Sequence, residues 1–179
     1  MASRLQKLLP KSQGYSVLIP LSRQEKGFDL VIIKKSPSGL SRVATIQIKA
    51  SRSYDQTPPK RKTTKRHRFR TWFNRFEVPR EADFFLLFGL YAPDSGKTKK
   101  VARHWYKDCT LLFTQTEMKS FMASCRTRAG KPDRMFGFGF DDEHKVVQTR
   151  GDKDRRFKDY TGFSLSRRIS VLKKILRTP

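Results

Sequence analysis

The stretch that most constrains the fold is residues 27–51, GFDLVIIKKSPSGLSRVATIQIKAS. Two apolar runs flank a Ser-Pro-Ser-Gly turn, and this pattern predicts two strands of a hairpin. Side chains alternate between faces along a strand, so Gln47 and Lys49 lie on one face while Ile48 turns into the core. If the strands pair antiparallel, Asp29 comes level with that Gln and Lys. The hairpin therefore predicts a carboxylate, an amide and an amine at one sheet edge.

The remaining apolar patterns predict an α/β fold around this hairpin. Alternating or continuous apolar runs predict strands, and apolar residues at helical spacing predict helices. Strands are expected at 15–19, 28–33, 42–49, 82–91, 101–106, 109–113 and 135–140, the last as a strand or bulged edge. Helices are expected at 3–9, from the Thr114–Glu117 capping box to near Gly130, and, amphipathic, at 164–176. We expect a single domain over residues 1–179, with a central mixed β-sheet flanked by helices.

Charge restricts the class of partner. Lys and Arg number 40 against 16 Asp and Glu, which gives a net charge of +24. Self-repulsion on this scale favours a protein whose partner is a polyanion, so nucleic acid is the expected partner, DNA before RNA. A generally basic, soluble surface and a ribosome-associated basic protein are the alternatives.

The apolar and cysteine content indicates an intracellular protein of the cytoplasm or nucleoid, with no membrane partner. The sequence contains no apolar run of about 18 residues and no apolar core of a secretory signal near its start. Cys109 falls in a predicted strand and Cys125 on the apolar face of a predicted helix, so packing explains both better than a disulfide. The spacing of Cys and His predicts no zinc site.

Residues 56–76 are rich in basic side chains and contain no acid. Aromatic residues close the segment at Trp72, Phe73 and Phe76. A phosphate-contacting arm and a solvated loop anchored by its aromatic residues fit this pattern about equally. The candidate nucleic-acid-binding residues are Lys60, Arg61, Lys62, Lys65, Arg66, Arg68, Arg70, Trp72 and Arg75.

Residues 3–126 resemble the core of the PD-(D/E)XK nuclease superfamily. The resemblance consists of a short helix, a three-strand meander with Asp29 on its second strand, the Gln47-Ile48-Lys49 triplet on its third, and a later buried strand followed by a helix. It implies a restriction-endonuclease-like core and phosphodiester hydrolysis assisted by Mg²⁺, or by Mn²⁺ in its place. The implied metal ligands are Asp29, Gln47 and the Ile48 backbone carbonyl. The implied catalytic residues are Asp29, Gln47 and Lys49, with Lys49 stabilising charge or orienting the attacking water.

The sequence departs from the family pattern at three points. Gln47 stands where the family more often has Glu or Asp, and an amide offers a metal an oxygen but no charge. The first helix contains no Glu, and the nearest substitute is Glu25, while Glu77 and Glu81 could each lend a carboxylate. No helix is predicted between the triplet and residue 76.

Two functions follow from the residues and the resemblance. The first is a metal-dependent endonuclease acting on DNA, which could dimerise to cut both strands. The second is a catalytically inactive DNA- or RNA-binding module on the same scaffold. Taken singly, each of these residues also fits an ordinary strand position. Asp29 could simply start a strand, Gln47 could be an exposed polar residue, and Lys49 could be an edge-strand charge that deters aggregation.

Overall fold

A computed structural model describes residues 1–21, 27–36, 39–55, 67–91, 107–141, 145–153 and 156–177. Within these ranges the chain forms an α/β fold dominated by antiparallel strand pairs. The helices are α1 (Ala2–Leu8), α2 (Gln115–Ser124) and α3 (Leu165–Ile175). The strands are β1 (Tyr15–Leu18), β2 (Leu30–Lys35), β3 (Ser41–Asp55), β4 (Phe69–Phe73), β5 (Phe84–Tyr91), β6 (Lys107–Thr114), β7 (Phe136–Phe140) and β8 (Val146–Arg150).

All eight strands belong to one hydrogen-bonded network, in which β3 is the shared strand. β1, β2 and β3 form an antiparallel meander, with Leu30 opposite Ile46. β3 also pairs in parallel with β5, which pairs antiparallel with β6. The last residues of β3 pair with β4, and β7 and β8 follow, all antiparallel. The parallel pair makes the sheet mixed, as predicted.

Apolar side chains cover both faces of the sheet. On one face α1 and α3 pack over the meander and β5, around a helical core that includes Leu5, Leu30, Ile32, Ile46, Phe84, Leu86, Leu165 and Leu172. On the other face α2 and the strands β4 and β7 enclose an aromatic core that includes Phe69, Phe73, Phe85, Phe113, Phe121, Phe136, Phe138 and Phe140. β5 contributes to both cores, which confirms the prediction that its apolar run is a buried central strand.

The predicted start of α2 and the predicted apolar face of α3 are confirmed, but α2 is shorter than predicted. The Thr114 hydroxyl accepts the backbone N–H of Glu117, and the Glu117 carboxylate accepts the N–H of Thr114, which is the predicted capping box. The prediction that this helix runs to Gly130 is wrong, because Cys125 is extended and Arg126 enters a β-bridge with Pro132. In α3, Leu165 and Leu172 are buried in the helical core, as expected for a core-facing stripe.

The prediction of a strand at residues 135–140 is confirmed by β7, while the alternative position at a sheet edge is wrong, because β7 lies between β4 and β8 and all five of its residues are buried. Its two glycines allow neighbouring side chains to cover the strand. A Cβ at Gly139 would overlap the His67 ring, and one at Gly137 would lie 2.7 Å from Cδ1 of Trp72. The pattern Phe-Gly-Phe-Gly-Phe therefore marks an interior strand with close neighbours on its glycine face.

The basic stretch is not a continuous arm. Within its described part, Phe69–Phe73 is a sheet strand whose odd-numbered residues Phe69, Thr71 and Phe73 are buried. The prediction of an arm is therefore wrong for residues 67–76, because alternate apolar side chains bind this segment to the aromatic core. Lys60, Arg61, Lys62, Lys65 and Arg66, like the strand predicted at 101–106, lie outside the described residues.

Two further findings concern the cysteines and the membrane. Cys109 and Cys125 are buried and form no disulfide in the described part of the chain. Burial raises the pKa of both thiols to about 12, so they remain protonated packing groups. Among the described helices, none has the length and apolarity needed to span a bilayer.

Replacement of Gly89 by Ala should destabilise the protein. Gly89 lies on β5, and an added Cβ would overlap Thr71 Cγ2 and lie 2.8 Å from Ser53 Oγ, where β5 meets the junction of β3 and β4. Overpacking of this kind lowers the free energy of unfolding by about 1–3 kcal/mol. Urea unfolding measures the change. Gly162→Ala is the matched control, since nothing lies within 4 Å of its added Cβ, and equal stability of the two variants would contradict the prediction.

An ion pair joins α2 to α3. Nη2 of Arg168 donates to both carboxylate oxygens of Glu117, at 2.7 and 2.9 Å. Burial raises the pKa of Glu117, but hydrogen bonds from Thr114 and Arg168 outweigh it, and the net pKa lies below its usual value. The ionised form of Glu117 therefore stabilises the fold.

Glu117→Gln should destabilise the protein near neutral pH and much less in acid. Because the pKa of Glu117 is lower in the folded than in the unfolded protein, its stabilising effect is present above the unfolded value and is lost as the pH falls through the folded value. The difference in unfolding free energy between wild type and variant should therefore shrink below about pH 4. Urea unfolding across pH 3–7 measures it. A difference independent of pH would contradict the role of the charge.

Candidate functional site

The end of the hairpin is set by the register between β2 and β3. β2 begins at Leu30, which lies opposite Ile46, and the N–H of Asp29 donates to the carbonyl of Ile46 at 2.8 Å. Asp29 is therefore the residue just before β2 and lies level with Gln47. The sequence prediction that these two residues come together is confirmed.

The carboxylate of Asp29 closes this end of the hairpin. Its Oδ2 accepts two hydrogen bonds, one from Nε2 of Gln47 at 2.7 Å and one from the backbone N–H of Ile48 at 2.6 Å. The second bond satisfies an N–H that faces the side of β3 where β2 has ended. Asp29, Gln47 and Ile48 thus form one hydrogen-bonded group on an exposed sheet end.

Lys49 shares a face of β3 with Gln47 but does not contact Asp29. Lys49 lies two residues beyond Gln47 along β3, about 7 Å from it. Its side chain is exposed and has no hydrogen bond or ion pair with any described residue. The structure therefore brings together three of the four predicted residues and places the fourth within reach of a ligand bound over them.

A second carboxylate, that of Glu81, lies close to this hairpin end. The backbone at Gly27 has φ +98, and a Cβ there would lie 2.7 Å from Oε2 of Glu81. The Glu81 carbonyl also accepts the hydroxyl of Thr45. Gly27 is two residues before Asp29, and Thr45 is two residues before Gln47. The Glu81 side chain therefore lies at the same end of the sheet.

Two other acids near this end have structural partners. Oδ2 of Asp83 accepts a hydrogen bond from the N–H of Thr45 at 2.9 Å, and the N–H of Asp83 donates to the Thr45 hydroxyl at 3.1 Å, which fixes the start of β5 against β3. Glu77 forms an ion pair with Arg134 at the protein surface. Of the two glutamates that the sequence offered as metal ligands, the structure therefore favours Glu81.

The hairpin end offers oxygen ligands of the kind that Mg²⁺ prefers. Mg²⁺ commonly binds through one or two carboxylates together with water and substrate phosphate. Asp29 supplies one carboxylate, a half-turn of the Gln47 amide would present its oxygen, and the Ile48 carbonyl faces the same edge. Across the described residues no cluster of three or more His, Cys, Asp and Glu could hold a metal. Asp29 is the single carboxylate of this set, and the other two oxygens are neutral.

The predicted nucleic-acid-binding residues that the structure describes do not share one environment. The guanidinium of Arg68 stacks over the Phe69 ring at 4.8 Å. Arg75 is exposed just after β4, with a positive φ of 47°. Arg70 and Trp72 instead lie on the outer face of β4, where they border a cleft.

This arginine cleft is the feature that the sequence did not reveal. It encloses about 550 Å³ and is lined by Arg70 and Trp72 of β4, by Arg126 and Arg128 after α2, and by Thr149 and Arg150 of β8. A hydrogen bond from the N–H of Arg126 to the Gly151 carbonyl, 2.8 Å long, joins the last two segments. The high overall charge was the available signal, but it does not say which arginines meet.

No protein-family model, no curated protein and no solved structure matches this chain.

Proposed function

We propose that the protein binds nucleic acid and hydrolyses phosphodiester bonds of DNA at the hairpin end, assisted by Mg²⁺ or Mn²⁺. The observation that carries this proposal is the group formed by Asp29, Gln47 and Ile48, with Lys49 on the same exposed face. A net charge of +24 would concentrate a phosphate polymer around it. A homodimer acting on the two strands of duplex DNA belongs to the same proposal.

The order of elements supports a restriction-endonuclease-like core. α1 precedes an antiparallel meander, β3 pairs in parallel with β5, and α2 follows β6. The helix α1 and the meander agree with the resemblance, whereas α2 follows β6 rather than the buried strand β5 directly. The connection from β3 to β5 departs from the family pattern, since its described part, residues 67–83, contains β4 and no helix.

The residues of the hairpin end would each have one role. When bound, the metal ion would supply charge neutralisation and an activated water. Asp29 and the oxygens of Gln47 and Ile48 would hold it, and the β3 register keeps these groups in place without rearrangement of the backbone. Lys49 would place its ammonium against a phosphate oxygen and stabilise the negative charge that develops during cleavage.

Lys49→Ala and Asp29→Asn should each abolish most of the metal-dependent cleavage while leaving DNA binding largely intact. Removal of a group that stabilises the transition state lowers kcat by about 10²- to 10³-fold. The measurement is cleavage of plasmid, single-stranded and branched DNA with Mg²⁺ and with Mn²⁺, beside a binding assay. Lys35→Ala, an exposed lysine on β2, is the charge-matched control and should cleave like the wild type. Undiminished cleavage by the Asp29→Asn, Lys49→Ala double variant would refute the proposal.

A second candidate function is a binding module without catalysis. The observation that favours it is that Oδ2 of Asp29 already accepts two N–H groups, so the same three residues close the hairpin with no metal. This candidate requires strongly salt-dependent binding and no cleavage of any DNA or RNA substrate with either metal.

Glu81→Gln should raise the Mg²⁺ concentration needed for half-maximal cleavage, by about tenfold or more. The reason is that Glu81 would add a second negative charge beside a site whose other side-chain ligands are one carboxylate and one amide. A Mg²⁺ titration of the cleavage rate measures the shift. Glu77→Gln is the matched control, because Glu77, like Glu81, lies two residues from Pro79 in the sequence but forms an ion pair with Arg134. Identical titrations of the two variants would exclude Glu81 from the site.

A further inference from the structure

We propose that the arginine cleft binds an unpaired nucleotide of a nucleic-acid strand, with its phosphate among the guanidinium groups and its base on Trp72. This inference rests on the proposed nucleic-acid-binding function and names the form of substrate that the protein selects. It concerns a surface separate from the hairpin end.

The cleft lies on the outer face of the sheet. Along β4 the odd-numbered residues enter the aromatic core, so Arg70 and Trp72 point outward. Tyr54 of β3 is directly opposite Arg70 and shares that face. Gln47 and Lys49 occupy odd positions of β3, so they lie on the opposite side of this strand from Tyr54. Substitutions in one site therefore need not disturb the other.

Positive charge dominates the cleft. Four arginines line it, against Asp133 and Asp152. Asp133 is paired with Arg150 at 3.4 Å, and its other oxygen accepts the N–H of Met135. Arg128 is exposed and has no ion pair or hydrogen bond with any described residue. The surplus of guanidinium groups suits the oxygens of a phosphate, which arginine binds through parallel N–H groups.

Two buried polar atoms at the cleft lack partners. Nε of Arg70 and Oγ1 of Thr149 are inaccessible to solvent and form no hydrogen bond within the described residues. Nη2 of Arg70 lies 3.3 Å from Nε2 of His67, which orients the guanidinium. Both residues line the cleft, and a buried polar atom without a partner is unusual in a native fold. A phosphate offers several acceptor oxygens in one group.

An aromatic platform borders these groups. Trp72 is 40% exposed and Tyr54 is 48% exposed, and the centroids of their rings lie 5.2 Å apart. Gly137 lies behind Trp72 without a side chain, which lets the indole lie close to β7. Bases of a single strand present a free face that stacks on such rings, whereas bases inside a duplex do not. The combination of platform and phosphate site therefore selects unpaired nucleotides.

The test compares binding of a fluorescein-labelled single-stranded oligonucleotide with binding of the blunt duplex of the same sequence, by anisotropy without metal. Trp72→Ala should weaken single-strand binding by about 5- to 150-fold and change duplex binding by less than about twofold. Trp72→Phe, which keeps an aromatic ring, should retain most of the single-strand affinity. Arg128→Gln should lower the slope of log K against log salt for the single strand by about 0.7. Arg167→Gln, an exposed arginine on α3, is the control and should leave that slope unchanged.

Three results would overturn the inference. Unchanged single-strand affinity in both Trp72→Ala and Arg128→Gln would show that the cleft is not used, while leaving the hairpin site intact. An equal loss for single strand and duplex would refute the selection of unpaired nucleotides. Failure of the wild type to bind any nucleic acid would refute the proposed function together with the cleft. Arg128 is exposed, so its variant gives an answer even if Trp72→Ala unfolds.

Discussion

The pairing of β3 with three other strands is the interaction on which the rest of the structure depends. Its first part is bonded to β2 on one edge and β5 on the other, and its last residues continue to β4. Burial of Ile46 and packing of Ile48 against the helical core fix its register. A slip by one residue would drive Gln47 and Lys49 into that core. The position of the polar group at the hairpin end is therefore determined by the apolar residues between its members.

The parts of the fold that the sequence predicted are those determined by residues close together in the chain. The turn after β2 and the alternation along β3 were enough to place Asp29 opposite Gln47. Thr114 and Glu117 were enough to begin α2, because a capping box involves neighbours three residues apart. The apolar stripe of α3 likewise follows from helical spacing alone.

The parts that the sequence did not predict depend on distant residues. In Phe69–Phe73 an alternating strand pattern was present, but the surrounding basic residues favoured an arm or loop, and the aromatic core decided the outcome. The end of α2 depends on the bridge between Arg126 and Pro132. Glu81 reaches the hairpin end because β5 lies in parallel beside β3, and the arginine cleft joins three separate segments. None of these contacts has a signature in one stretch of sequence.

The two proposed sites together constrain the shape of a substrate. Ser51 lies between them on β3, and its hydroxyl accepts the N–H of Trp72 at 3.2 Å. Lys49 and Tyr54 are five positions apart, about 16 Å along the strand, and lie on opposite sides of it. Because β3 is an interior strand, a nucleic acid that occupies both sites must bend from one face of the sheet to the other. Duplex DNA has a persistence length of about 150 base pairs and resists such a turn, whereas an unpaired strand does not. A substrate with a junction between paired and unpaired DNA would satisfy both sites, with its single strand in the arginine cleft.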